Sequence, residues 1–175
     1  MGAFDPQIWH APAPEQLWAF IDDHRALLAG CLDGLSEAEA RARLVPSKTT
    51  LLGLLKHATF VEQVWFDEAI TGRPRPEIGI PEDVDASFDL APGDTIASVQ
   101  EAYAAAFISS RARVAGLGLD DIVTGNRRGP LPLRFVLLHV LRELAQHCGH
   151  ADILREQVLA ARTPTRSAGS PGTPR

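Results

Sequence analysis

The chain has 175 residues, enough for one domain with a substantial core, and its 45% hydrophobic and 22% charged content is that of an ordinary soluble globular protein. Twenty-two acidic against 17 basic residues leave a formal charge of −5 with no basic run, which excludes the electrostatic footprint of a nucleic-acid binder. Two cysteines, Cys31 and Cys148, are too few for a disulfide framework; with no signal peptide and no uninterrupted bilayer-spanning run, a cytoplasmic location without membrane contact is expected.

The first predicted element runs from Pro14 to Leu35, with proline in the first turn and residues 17, 21, 24, 28, 31 and 35 forming one stripe, so that His24 lies on it. SEAEARARL follows, where Ser36 and Glu39 have capping-box spacing and Pro46 stops a short helix. A second long helix starts at Thr49 or Thr50 and ends at Gly72, and its stripe of Leu54, His57, Val61 and Val64 carries a histidine too. Residues 73 to 93 are rich in proline and acids and are expected to form a long connection.

Asp94 or Thr95 opens a third long helix bearing Ile96, Val99, Tyr103, Phe107 and Val114, ended by Gly116 and Gly118. The polar segment TGNRRGPLP then turns the chain, and Pro132 fits the first turn of a last helix that runs to about Ala161. Its stripe contains Val136, Val140, Glu143, His147, His150 and Leu154. No segment shows sustained strand alternation, so the expected architecture is an all-α four-helix bundle with one long crossover, as a single domain over residues 1–162. The TPTRSAGSPGTPR tail, residues 163–175, is expected to be disordered.

Glu143, His147 and His150 fall within a narrow arc of one helical face, at about 100° per residue, on the side that should be apolar. Bundles build metal sites from imidazoles and carboxylates on facing helices, so Glu143 and His147 supply a pair, with His57 first and His24 next as the third ligand. Spacing alone leaves His147 with His150, or His139 with Glu143, equally able to bind. A lone histidine on an apolar stripe is by default a core residue with a satisfied hydrogen bond, whereas a carboxylate there costs several kcal/mol unless it is paired or metal-bound.

LLGLLKHATFVEQVWF together with PLRFVLLHVLRELAQHCGHADILRE closely resembles the DUF664 branch of the DinB/YfiT-like superfamily, and HRALL in the first helix fits the same pattern. The resemblance covers roughly residues 14 to 160. It implies a four-helix bundle, commonly a homodimer, with a metal held at the positions of His57, Glu143 and His147. It also implies a transferase or isomerase that uses mycothiol or bacillithiol as co-substrate against an electrophilic small molecule.

On that resemblance His150 supports the ligands from behind or faces the substrate, and His150 or His24 shuttles protons or orients the thiol, with Tyr103 a further donor. Cys148, turned about 100° from His147 on the helix, is expected to be a packing residue. The donor set suits zinc first, with nickel, iron or manganese also fitting. Two rival readings are a metal-assisted hydrolase and a non-catalytic bundle that binds a metal or ligand as a dimer.

Overall fold

A computed structural model describes residues 5–162; the expected disordered tail lies outside them. After a 3-10 turn at Pro6–His10, the helices are α1 (Ala13–Gly30), α2 (Glu37–Ala40), α3 (Leu51–Gln63), α4 (Ala69–Thr71), α5 (Arg75–Ile78), α6 (Ile96–Arg113) and α7 (Leu133–Arg162). The bundle is all-α in character. Its one sheet among these residues is a two-stranded ribbon, β1 (Ile122–Val123) antiparallel to β2 (Leu131–Pro132).

Local chemistry sets the helix starts. Thr50 accepts from the Gly53 amide at 3.0 Å to cap α3, and reciprocal capping boxes pair Ser36 with Glu39 and Thr95 with Ser98. Pro132 belongs to β2 rather than to the last helix, so α7 begins one residue later than its sequence suggests. Backbone carbonyls of Asp121 and Leu119 accept from Leu133 and Arg134 at 2.9 and 2.8 Å, satisfying amides that a helix start leaves without intrahelical partners.

α7 packs against both α1 and α3, and α6 packs on α3. Side chains close the α1 to α6 side: Gln100 donates to the Ala29 carbonyl at 3.2 Å, and Arg111 pairs with Asp22. Ile21, Leu28, Leu54, Leu55, Val136, Leu137, Val140 and Leu144 are fully buried between the four rods, each worth roughly 1.5–3 kcal/mol of transfer free energy.

A charged pair crosses this core. Arg25 of α1 makes a two-point bridge to Glu62 of α3, at 2.8 and 2.6 Å, and Ser110 of α6 donates to the same carboxylate at 2.8 Å. Trp18, Phe66 and Phe107 surround the guanidinium at 5.5–5.8 Å.

Two features depart from a plain bundle. The second long rod does not run uninterrupted to Gly72: at Val64–Glu68 it widens into a π turn, with Ala69 N–H donating to Val64 O. That extra residue buries Trp65, Phe66, Asp67 and Glu68 together, and such insertions recur at functional sites.

The 73–93 connection is the second departure, because it contains α5 and a 3-10 turn at Asp85–Phe88 that packs on α3. Gly53 permits that packing, since a Cβ there would lie 3.0 Å from the Phe88 carbonyl oxygen. The turn therefore sits one helical turn before His57.

Candidate metal centre

His57 comes from α3, and Glu143 and His147 come from α7, where four-residue spacing puts the last two side chains one above the other. Each of the three offers a ligand atom within 4.8 Å of the others. His147 Nε2 lies 3.6 Å from Glu143 Oε2, too far for a hydrogen bond but close to the ~3.3 Å separation of two ligands on one tetrahedral zinc ion. The His57 and His147 rings meet edge to face, with centroids 4.8 Å apart.

The connection orients His57. Ser87 Oγ is 2.6 Å from His57 Nδ1 and 2.5 Å from the Val84 carbonyl. A carbonyl only accepts, so the serine proton goes to Val84, and His57 Nδ1–H must be the donor to Ser87. Nε2 then keeps its lone pair, as a metal ligand requires. Phe88 stacks on the same ring at 4.0 Å, 11° from parallel, leaving His57 only 4% exposed. Burial, with His147 beside it, pushes the imidazole down to about 4 against the pull of Glu143, so it is neutral at physiological pH.

Glu143 is half-buried and held from its other side. Arg142 donates to Oε1 at 2.8 Å and His139 Nε2 stands 3.4 Å from the same oxygen, which leaves Oε2 toward His147. Burial pulls the carboxyl upward, yet the Arg142 hydrogen bond and the neighbouring histidines hold it below the usual carboxylate range. His147 is 8% exposed, burial lowers its pKa, and both of its ring nitrogens lack a hydrogen-bond partner. A buried polar group without a partner costs about 1–3 kcal/mol. An imidazole, a second imidazole and a carboxylate converging on such an orphan fit a divalent cation, which would satisfy one of the two nitrogens.

A cavity of about 230 Å³ opens over His57 and Glu143, with Phe60, Val61, Val64, Trp65 and Val84 as its apolar lining. His139 packs against Trp65 at 4.0 Å, so the π turn supplies one wall. A larger cavity of about 490 Å³ lies between α3 and α6, and none of the three converging residues lines it.

The other predicted residues are distributed unevenly. His150 is exposed, its ring 5.7 Å from that of His147. His24 is outside the convergent group; its Nδ1 is 2.7 Å from the Phe20 carbonyl oxygen. Tyr103 is fully buried and lines no part of the 230 Å³ cavity. Cys148 packs with Sγ directed to the His24 carbonyl at 3.4 Å, and burial raises its thiol to about 11. Ser87, Phe88 and Arg128 join the site unannounced by any motif, whereas Trp65 belongs to the WF pair that ends the quoted LLGLLKHATFVEQVWF segment.

A helical bundle that brings two imidazoles and one carboxylate together from two of its long rods defines a class of candidate metal-binding bundles. The mycothiol-S-transferase family model matches residues 16–160, and the chain belongs to that family, within the DinB-like superfamily its motifs resemble. None of the curated proteins compared with the chain matches it. Among the described residues no helix is long and apolar enough to cross a membrane.

Proposed function

We propose that the protein is a metal-dependent transferase that joins a low-molecular-weight thiol, mycothiol or a close analogue, to an electrophilic small molecule. The observation that carries this reading is His147, buried with both nitrogens unpartnered beside the Glu143 carboxylate and the His57 ring. His57, Glu143 and His147 are the proposed ligands, and zinc suits the set best, with nickel, iron and manganese as alternatives. Such an ion, when bound, stabilises thiolate over thiol and so supplies a nucleophile at neutral pH.

The protein's own residues do the rest. Ser87 holds the His57 tautomer, Arg142 and His139 fix the Glu143 carboxylate, and Phe88 with Trp65 keeps the ligand side dry. We assign transfer of the thiol proton to solvent to His150 in preference to His24, an assignment supported by its exposure and by its ring lying 5.7 Å from that of His147. Buried Cys31 and Cys148, raised to about 12 and about 11, are poor nucleophiles, which leaves the sulfur chemistry to an external thiol. Both are unpaired, in keeping with a reducing cytoplasmic location, and a homodimer completes the proposal.

Elemental analysis tests the site and a conjugation screen tests the chemistry. Near-stoichiometric metal in the wild type, lost in His57→Ala and Glu143→Ala, with turnover only when mycothiol is supplied, is the expected result. Turnover without thiol would favour the metal-assisted hydrolase. Metal that raises the melting temperature with no chemistry against any electrophile would favour the non-catalytic bundle.

A further inference from the structure

We propose that the cavity over His57 and Glu143 recognises a carboxylate, gripped by Arg128 and Arg142, so that the electrophile is a small organic acid. This rests on the transferase reading proposed above, takes the cavity beside His57 and Glu143 as the place of the electrophile, and narrows that electrophile to a charge class.

The cavity is lined by three arginines, Arg75, Arg128 and Arg142, and by a single acid, Glu143. In a chain of formal charge −5 that is a local reversal of sign, and fields of this kind concentrate anions where the walls are apolar. The three cations are not equivalent. Arg75 is buried and committed, to Glu68 at 3.0 Å and to the Glu82 carbonyl at 2.6 Å. Arg142 uses Nη2 on Glu143, and its side chain is 67% exposed, so most of its five donors stay open.

Arg128 is the most informative. Its neighbour Arg127 reaches two carboxylates, Glu68 at 2.8 Å and Glu82 at 2.6 Å, so the 124–130 loop has acids within range. Arg128 takes neither. Among the described residues its guanidinium has no carboxylate or carbonyl partner, and it lies 5.6 Å over the Trp65 ring instead. Stacking on an aromatic face holds a guanidinium plane in place without consuming its donors. One arginine of the loop thus serves structure, and the next, exposed and without an acid partner among the described residues, lines the cavity.

Shape agrees with charge. About 230 Å³ is below the ~300–1,000 Å³ of typical ligand sites, and the floor of Phe60, Val61, Val64 and Val84 offers a carbon skeleton only apolar contact. A short acid fits: its carboxylate takes the fork of an arginine, and its reactive carbon rests toward Glu143 and His57.

Calorimetric titration with succinate, and with its uncharged diamide as control, tests this in zinc-loaded and chelator-treated protein. Succinate should bind the wild type in both forms and at least tenfold more weakly in Arg128→Gln, while the diamide gives no detectable binding. Arg134→Gln, which removes an exposed partner of Asp120, should bind succinate like the wild type. Zinc affinity of Arg128→Gln, by competition with a chromophoric chelator, should stay within about threefold of wild type, which shows the variant folded.

Equal binding of the diamide, unchanged succinate binding in Arg128→Gln, or no succinate binding to the wild type overturns the proposal. Succinate binding that depends on Arg128 in a protein that takes up no zinc would sink the metal reading and leave the anion site standing. Zinc uptake with succinate binding indifferent to Arg128 would do the reverse.

Discussion

His57 and Ser87, thirty residues apart in the chain, form a 2.6 Å hydrogen bond in which the imidazole is the donor, because the serine proton is already given to the Val84 carbonyl. The connection between two helices therefore decides which nitrogen of a helix-borne histidine is free to ligate. Replacing Ser87 with alanine removes the acceptor and leaves the ring free to change tautomer. Loss of a partner of this kind costs about 10–100-fold in metal affinity. Competition against a chromophoric chelator should show a loss in that range, and Ser87→Thr, which keeps the hydroxyl, should recover most of it. Wild-type affinity in the alanine variant would remove Ser87 from the site.

Acid should destabilise the metal-free protein through the same ring. Its folded value of about 4 lies below the ~6.5 of an exposed histidine, so as pH falls through 6.5 the unfolded chain takes up the proton first. The contribution is complete above pH 6.5 and is lost on the way down to pH 4, by about 3 kcal/mol at most. His147, whose pKa is also lowered by burial, adds in the same direction. Urea unfolding of chelator-treated protein at pH 7.5 and pH 5 should show the drop, and His57→Gln should flatten it. An unchanged slope in that variant would mean other groups are responsible.

The Arg25 and Glu62 pair predicts an asymmetry. Truncating Arg25 strands the fully buried Glu62 carboxylate and should cost about 3–5 kcal/mol, seen as a lower urea midpoint, whereas truncating Glu62 leaves Arg25 its bridge to Asp22 at 3.0 Å and should cost less. Replacing both with apolar residues of similar volume, Arg25→Met with Glu62→Leu, should cost far less than the sum of the single changes. A strictly additive double variant would contradict the pairing described above.

Gly125 is where the arginine loop meets the π turn. Its amide donates to the Ala69 carbonyl at 3.0 Å, and a Cβ there would lie 2.2 Å from the Glu68 backbone oxygen. Gly125→Ala must push the loop away, weakening the Arg127 bridges and shifting Arg128 off Trp65. Stability should fall by about 1–3 kcal/mol, and Trp65 emission should change, whereas Gly93→Ala, with open space around it, should do neither.

How much of this was legible in the sequence follows from what spacing encodes. Helix periodicity and capping residues marked α1, α3, α6 and α7, because amphipathic stripes and side-chain caps are local. The approach of His57 to Glu143 and His147 was readable for the same reason: each sits on the buried face of a helix, and a bundle brings such faces together. Ser87 and Phe88 were not readable, since their places depend on how the 73–93 connection folds back over Gly53, a contact between segments distant in the chain. The π turn escaped for a different reason. One inserted residue leaves the composition helical and changes only the register, so Trp65 arrives beside His139 without any periodic signal. His150 was drawn inward by its stripe but is exposed, being near the outer limit of the buried arc.

The three converging side chains belong to two rods joined by about seventy residues of intervening chain, so an ion seated among them would act as a clasp across the tertiary structure. Its grip would tie the opening of α3 to that of α7 while leaving α6, which contributes no ligand, to breathe on its own schedule. Amide exchange would then slow jointly along the two clasped rods on loading, and the pattern of protection would trace the coordination without any view of the ion itself.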